Sequence, residues 1–286
     1  MGVTLFDTPT MRLLNSSTEV AIGGGLRLHV AFLLAGLAAR IPEYCACALI
    51  IYATYTLDRA LDCKEDAINK RELQGANAKI GILACIVTFL IGASLFMLDG
   101  IYLAPFFPFI IGYIYTRGIR IGPYGCKLKG GVGIKNIIIG ITWGGSIALV
   151  VSRWSSSLTT VLVIFLFFAL KLFTTSCVND FKDVRGDMAA GIRTLPACLG
   201  ENLTKMVLIV IIIGLHAVMV YSLLFNIIRN EWLVVIYSLV VSVAFLMVYS
   251  SSFESSTSFV FKRMREIVIY WESAITLTLR AFMVVI

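Results

Sequence analysis

Hydrophobic residues run along the chain in long blocks that short polar segments separate. A helix that crosses a bilayer needs about 20 mostly apolar residues. Nine blocks come close to this length, and each predicts one membrane-spanning helix: 14–38, 41–60, 79–98, 101–116, 134–152, 158–178, 203–226, 231–250 and 267–286. The first block is the least regular, because Glu19, Arg27 and three consecutive glycines interrupt it. The pattern predicts an all-α protein with nine transmembrane helices in one bundle.

The composition agrees with this pattern. Of the 286 residues, 59% are hydrophobic and only 14% are charged, and the mean hydropathy is +0.91. A soluble domain is about half apolar and about a quarter charged. A single soluble core could not bury the excess, since the buried fraction grows slowly with chain length. Composition therefore excludes a soluble enzyme and a disordered chain, and we expect one membrane domain over residues 1–286.

Lysine and arginine separate by side of the predicted membrane. Seventeen of them precede the first span or follow spans two, four, six and eight, whereas the other loops hold only Arg40, Arg153 and Arg229. Basic residues mark cytoplasmic loops, so we expect a multi-pass protein of the cell membrane with a cytoplasmic N-terminus. The net charge of +7 then belongs to one membrane face, and we expect contact with membrane lipid and none with nucleic acid.

Histidine and cysteine exclude several kinds of metal site. The two histidines, His29 and His216, lie on different predicted spans, which argues against haem, copper and histidine-rich zinc sites. The seven cysteines are scattered and include no CxxC pair, so neither a disulfide framework nor a zinc knuckle is expected.

Two acidic stripes mark the ends of spans two and six. Each repeats at positions i, i+4 and i+8, which stay on one helix face and rise about 6 Å per step. The stripes are Asp58, Asp62 and Asp66, and Asn179, Asp183 and Asp187. Corresponding positions are 121 residues apart with four spans between them, so both stripes point the same way. We therefore expect a 4+4 parallel pseudo-repeat plus a ninth span, around a central cavity that opens at the cytoplasmic side.

These stripes predict a metal site. Solvation of helix ends would explain one acidic stripe, but it explains two matched stripes poorly. Clustered carboxylates repel each other unless a cation neutralises them, and oxygen ligands favour Mg²⁺, which also binds substrate phosphates. We expect all six stripe residues to be metal ligands, with Mn²⁺ able to replace Mg²⁺. Basic and amide side chains nearby could donate to a diphosphate: Arg12, Asn15, Asn69, Lys70, Lys127, Lys129, Lys135, Asn136 and Arg193.

The chain resembles the UbiA superfamily of intramembrane prenyltransferases. The family's first motif, NDxxDxxxD followed by Asn-Arg, is similar to the segment from Asp58 to Asp66 followed by Asn69-Lys70. Its second motif, DxxDxxGD before a Thr-Leu-Pro turn, is similar to residues 180–187 and 194–196. The family's Arg-x-x-Asn at the first span resembles Arg12 and Asn15. The chain departs from the first motif at Asp58 and Arg59, which stand in place of Asn and Asp.

The resemblance implies Mg²⁺-dependent transfer of a polyprenyl group from its diphosphate to a small acceptor. The implied catalytic residues are Asp62, Asp66, Asp183 and Asp187. The implied substrate-binding residues are Arg12, Asn15, Asp58, Asn69, Lys70, Lys127, Lys129, Asn179, Asp180 and Arg193. The acceptor would be an aromatic quinone precursor or a glyceryl phosphate lipid, in preference to a tetrapyrrole, because the spans offer no obvious histidine contact for haem.

Two other functions are alternatives to prenyl transfer, and the sequence favours neither. A divalent-cation transporter also carries intramembrane carboxylates and pseudo-repeats, but its ligands should lie near the bilayer midplane rather than at span ends. A CDP-alcohol phosphotransferase is a different lipid enzyme, and its Asp-Gly-x-x-Ala-Arg motif is absent from the sequence.

Overall fold

The computed structural model describes residues 8–61, 73–117, 119–121, 124–126, 131–189, 191–248 and 259–285. Within these ranges the chain forms nine long α-helices, one short helix and one small hairpin. The helices are α1 (Pro9–Leu34), α2 (Ile41–Ala60), α3 (Ala78–Leu98), α4 (Leu103–Arg117), α5 (Ile134–Ser152), α6 (Leu158–Ala189), α7 (Leu195–Leu199), α8 (Glu201–Leu224), α9 (Trp232–Val248) and α10 (Phe259–Val285). The antiparallel hairpin joins β1 (Ile119–Ile121) to β2 (Tyr124–Cys126).

The helices coincide with the hydrophobic blocks, which confirms the helical architecture. By length and composition, α3, α5, α6 and α8 are long and apolar enough to cross a membrane. The number of spans and the side on which the bundle opens stay predictions. The two largest differences from the hydrophobic pattern are that α6 runs past residue 178 to Ala189 and that α10 begins before residue 267, at Phe259. The hydropathy pattern does not predict these extensions, because it detects only apolar residues. The backbone hydrogen bonds of a helix can continue through polar residues beyond the apolar region. The first helix, α1, is shifted toward the N-terminus and spans Pro9–Leu34 instead of 14–38.

The glycines of the first block do not interrupt α1, which is continuous from Pro9 to Leu34. They allow neighbouring backbones to come close. A Cβ atom on Gly23 would lie 2.2 Å from the carbonyl oxygen of Tyr270 on α10. A Cβ on Gly25 would lie 2.8 Å from the carbonyl oxygen of Tyr44 on α2. Small residues permit this kind of close helix packing in membranes, so the glycines dock α1 against both of its neighbours.

Aromatic side chains fill the interior between the two halves of the chain. Phe32 on α1, Phe96 on α3 and Phe167 on α6 are fully buried in one hydrophobic cluster. By contrast, the outer faces of α3 and α8 expose large apolar residues, including Leu83 and Val210. An apolar exterior around a packed apolar interior is expected of a bundle surrounded by lipid.

The loops that follow spans one, three, five and seven meet at one end of the bundle. Arg40 pairs with Asp99, and its guanidinium lies 3.7 Å from the ring centroid of Trp154. The backbone N–H of Arg229 donates to the carbonyl of Leu34 over 2.7 Å. These contacts join all four loops at one end of the bundle, and the membrane side that this end faces stays a prediction. Asp58 and the second acidic stripe lie toward the opposite end.

Candidate functional site

A cavity of about 260 Å³ lies between α1, α2, α5, α6 and α10. One part of its wall is apolar and includes Ile51, Ile147 and Leu172. The other part gathers seven charged side chains: Arg27, Asp58, Arg59, Lys135, Asp180, Lys182 and Asp183. A single chamber with an apolar wall and a charged wall can hold a molecule that carries an apolar chain and an anionic head.

The first acidic stripe is described only at its beginning. Asp58 lies in the last turn of α2 and lines the cavity. The other predicted residues of the first motif and of the basic loop lie outside the described residues: Asp62, Asp66, Asn69, Lys70, Lys127 and Lys129. Their predicted roles therefore stay predictions.

The second stripe lies on one continuous helix, as its spacing predicts. Asn179, Asp180 and Asp183 line the cavity from α6, so α6 brings this motif to the same space as Asp58. Asp187 lies one turn beyond Asp183 and is only 1% exposed. The structure thus joins members of both motifs in one chamber, although they are more than 100 residues apart in sequence.

Lys135 contacts two buried carboxylates of the second motif. Its Nζ donates to Asp180 Oδ1 over 2.7 Å and to Asp187 Oδ2 over 3.1 Å. Both carboxylates are almost completely buried, with 2% and 1% exposure. A buried carboxylate needs a partner because desolvation of an unpaired charge is costly. Lys135 therefore neutralises the interior side of the stripe, while Asp183 faces the cavity beside Lys182 at 3.8 Å.

Asn136 completes the environment of Asp180. Its Nδ2 donates to Asp180 Oδ2 over 2.6 Å and to Ser176 Oγ over 3.0 Å. Lys135 and Asn136 occupy the first turn of α5, which begins after Gly133. Gly133 has φ +67°, a left-handed conformation that suits glycine. Its N–H donates to the carbonyl of Arg193 over 2.9 Å, so α5 starts against the turn that follows the second motif.

Arg59, which departs from the family motif, links two helices at the cavity wall. Its Nη1 donates to Ser17 Oγ over 2.7 Å, joining α2 to α1. Its guanidinium lies 5.5 Å from the ring centroid of Tyr55. Tyr55 stacks on Trp143, with centroids 5.7 Å apart and an interplanar angle of 10°. Tyr55 and Trp143 both line the cavity, so they present aromatic surface beside the charged wall.

Three predicted substrate-binding residues are not among the residues that line the cavity. Arg12 and Asn15 are exposed on α1, and Arg193 is exposed in the turn before α7. The carbonyl of Arg193 has the structural role already described, as the acceptor for Gly133. The structure thus separates these side chains from the described part of the cavity.

Several residues at or beside the cavity are not among the predicted site residues. Lys135 lines the cavity and Asn136 lies behind it against Asp180, whereas the sequence indicates both only as possible donors to a diphosphate. Arg27, Arg59, Trp143 and Tyr270 also line the cavity without being predicted site residues. Arg27 carried a usable signal, because an ionisable residue within an apolar span is a functional candidate. Trp143 and Tyr270 carried none, since aromatic residues are common throughout this chain.

The donors that face the cavity suit a hard cation. Asp58, Asn179 and Asp183 offer only oxygen ligands at this wall, which favours Mg²⁺ over softer metals. Among the residues that the structure describes, no three His, Cys, Asp or Glu side chains form a metal cluster. The other predicted carboxylate ligands of the first motif, Asp62 and Asp66, lie outside those residues.

Curated relatives of the chain are synthases. Digeranylgeranylglyceryl phosphate synthase of Sulfurisphaera tokodaii is 28% identical over 211 residues, which cover 67% of this chain and 72% of that protein. The same enzyme of Natronomonas pharaonis is 28% identical over 67% of this chain and 69% of its own length. The bacteriochlorophyll synthase 34 kDa chain of Chloroflexus aurantiacus is 27% identical over 58% of this chain and 53% of that protein.

Solved structures share the fold. A UbiA homolog from Archaeoglobus fulgidus bound to DMAPP and Mg²⁺ has a TM-score of 0.62 and 14% identity, covering 95% of this chain and 98% of that one. The apo structure of a UbiA homolog from Aeropyrum pernix has a TM-score of 0.65 and 12% identity, covering 92% and 98% of the two chains. The profile of the UbiA prenyltransferase family matches residues 20–264. Because this match spans most of the sequence, the chain belongs to the UbiA prenyltransferase family of integral membrane enzymes.

Proposed function

We propose that the protein transfers a polyprenyl group from its diphosphate to a small acceptor inside the membrane, with Mg²⁺ as cofactor. One observation carries this proposal: a single cavity combines Asp58 of the first motif with Asn179 and Asp183 of the second. The same cavity has an apolar wall. The arrangement suits a substrate with a diphosphate head and a hydrocarbon tail.

The cation would be held by Asp58, Asp62, Asp66, Asn179, Asp183 and Asp187. When bound, Mg²⁺ supplies Lewis-acid stabilisation of the negative charge on the diphosphate oxygens. Of these ligands, Asp58, Asn179 and Asp183 already face the cavity. Asp187 is held by Lys135, so its part in metal binding requires Lys135 to move or to share the carboxylate. The fold neighbour bound to DMAPP and Mg²⁺ supports this cofactor.

Basic side chains would hold the leaving diphosphate. Arg27, Arg59 and Lys182 line the cavity beside the acidic residues. Hydrogen bonds between charged donors and phosphate oxygens are roughly twice as strong as neutral ones, and they strengthen as the allylic C–O bond breaks and charge moves to the diphosphate. The family resemblance assigns the same role, binding of the diphosphate, to Lys70, Lys127, Lys129 and Arg193.

The apolar wall would exclude water from the allylic cation. The side chains of Ile51, Ile147 and Leu172 form no hydrogen bonds, so a cation formed beside them would meet apolar surface in place of water. The stacked pair of Tyr55 and Trp143 offers ring faces that attract cations. These ring faces would orient the reactive carbon.

The acceptor is proposed to be a glyceryl phosphate lipid or an aromatic quinone precursor. Two curated relatives are digeranylgeranylglyceryl phosphate synthases, which supports the glyceryl phosphate alternative. A bacteriochlorophyll synthase is also a relative, so a chlorophyll-type acceptor belongs in the test. Proposed partners are therefore the polyprenyl diphosphate, one such acceptor and membrane lipid. The proposed location is the cell membrane, with the N-terminus and the cavity mouth at the cytoplasmic side.

Turnover by the purified full chain tests this proposal. The protein in lipid nanodiscs is incubated with labelled prenyl diphosphates of several lengths, Mg²⁺ and each acceptor class, and products are identified by mass spectrometry. We expect one acceptor class to be prenylated with release of inorganic diphosphate, and EDTA to stop the reaction. Mn²⁺ flux into proteoliposomes without any prenylated product would instead support the cation transporter.

A further inference from the structure

Asn136 has a hydrogen-bonding pattern that the assignment of the two acidic motifs does not explain. Its side chain is fully buried at the start of α5. The Nδ2 atom contacts Asp180 and Ser176, while Oδ1 is buried and has no hydrogen-bond partner. The orientation of the amide follows from chemistry, because turning Oδ1 toward Asp180 would place two acceptors against each other. The NH₂ group of Asn136 is therefore the part of its side chain that makes hydrogen bonds in the interior.

The two oxygens of Asp180 are divided between neighbouring residues of α5. Asn136 Nδ2 donates to Oδ2 over 2.6 Å, and Lys135 Nζ donates to Oδ1 over 2.7 Å. The carboxylate therefore cannot rotate without losing one of these contacts. Because Lys135 also reaches Asp187 at 3.1 Å, the orientation of Asp180 fixes where the ammonium group stands relative to the rest of the stripe.

We infer that Asn136 is a positioning residue for the metal–diphosphate site. By fixing Asp180, it sets the position of the Lys135 ammonium group, which in turn holds the carboxylate of Asp187. This inference rests on the proposed function, since it assumes that the second stripe binds the cation. Groups that orient metal ligands commonly change metal affinity by about 10- to 100-fold when removed.

A purely structural role for Asn136 makes a different prediction. In that case the hydrogen bonds to Asp180 and Ser176 only attach α5 to α6, and their loss lowers stability without a specific effect on metal binding. Thr160 provides a matched control, because its hydroxyl joins α6 to the carbonyl of Ile227 over 2.7 Å at the far end of the bundle. Thr160→Val removes a buried hydrogen bond between α6 and the loop after α8, and it leaves the cavity untouched.

Mn²⁺ binding measured by electron paramagnetic resonance tests the inference without turnover. The full chain in nanodiscs is titrated with Mn²⁺ in the presence of inorganic diphosphate. For Asn136→Leu we expect the Mn²⁺ dissociation constant to rise about tenfold or more, whereas Thr160→Val should match the wild type. Asn136→Ser keeps a shorter donor and should recover part of the loss, and it replaces Asn136→Leu if the leucine variant does not fold.

The outcomes separate this inference from the function on which it rests. If Asn136→Leu and Asn136→Ser bind Mn²⁺ like the wild type while Asp183→Asn does not, Asn136 has no positioning role and the proposed function stands. If Thr160→Val weakens Mn²⁺ binding equally, the effect is general destabilisation and the inference is wrong. If the wild type itself binds no Mn²⁺ with diphosphate, both the metal site and the inference are overturned.

Discussion

Lys135 Nζ lies 3.1 Å from Asp187 Oδ2, across 52 positions of sequence. This contact joins the first turn of α5 to the last turns of α6, where the second acidic stripe lies. Lys135 also holds Asp180 at 2.7 Å, so one ammonium group balances two buried carboxylates. A bound cation could neutralise the same carboxylates, which places Lys135 and the metal in competition for the interior side of the stripe.

The first prediction follows from this competition. Lys135→Met leaves two buried carboxylates without their cation, and we expect a loss of about 3–5 kcal/mol in the free energy of unfolding. The loss should be largest in EDTA and smaller with Mg²⁺ and inorganic diphosphate, because the metal replaces the missing charge. Thermal unfolding in both conditions measures this difference.

A lysine outside the cavity controls for the change in charge. Lys205 pairs with Glu201 one turn away on α8, and both side chains are partly exposed. An i, i+4 helix pair contributes about 0.3–0.5 kcal/mol, so Lys205→Met should have a much smaller effect than Lys135→Met and the same effect in both conditions. An equal loss for Lys135→Met with and without Mg²⁺ would show that the metal does not reach these carboxylates.

The fold was predictable from hydropathy, whereas the partners of the charged residues were not. Each apolar block is long enough to require a helix in lipid, and the i, i+4, i+8 spacing placed Asn179 and Asp183 correctly on one face. The contact of Lys135 with Asp180 depends on how α5 is rotated and shifted against α6. Lys135 was therefore indistinguishable in sequence from the orientation-setting lysines around it.

The departure at Arg59 shows a second limit of sequence reasoning. A motif comparison marks this residue only as different from the usual aspartate. The structure shows that its guanidinium reaches Ser17 on α1 and the ring of Tyr55. Those contacts depend on the packing of α1 against α2, which Gly24 and Gly25 of α1 permit. Packing of this kind cannot be inferred from residue types along one helix.

The second prediction concerns metal dependence. Asp183→Asn removes a charge that faces the cavity, and we expect transfer to fall about a hundredfold or more because the cation is held less tightly. Asp62→Asn should have a comparable effect on the first motif. Product formation is measured against Mg²⁺ concentration, with Asp99→Asn at the far end of the bundle as the control. Near-normal turnover of folded Asp183→Asn would remove this stripe from the metal site.

The third prediction concerns orientation. In a cysteine-free background, Lys129→Cys and Lys262→Cys should react with an impermeant thiol reagent only from the cytoplasmic side. Ser156→Cys and Asn230→Cys, which lie at exposed positions in the opposite loops, should react only from outside. The reason is the excess of basic residues in the loops after even-numbered spans. Labelling of position 129 from outside would reverse the predicted topology.

The fourth prediction tests the close packing of α1. Gly23→Ala would place a methyl group where the backbone carbonyl of Tyr270 stands, at 2.2 Å. Since backbone atoms cannot yield like the end of a flexible side chain, we expect α1 and α10 to separate and the free energy of unfolding to fall by about 1–3 kcal/mol. Gly214→Ala is the matched control, because no atom lies within 4 Å of a Cβ at that position on α8. There the higher helix propensity of alanine should leave stability unchanged or raise it by up to about 1 kcal/mol. Thermal unfolding of the two variants in the same detergent measures both effects, and equal midpoints would mean that α1 and α10 do not touch at Gly23.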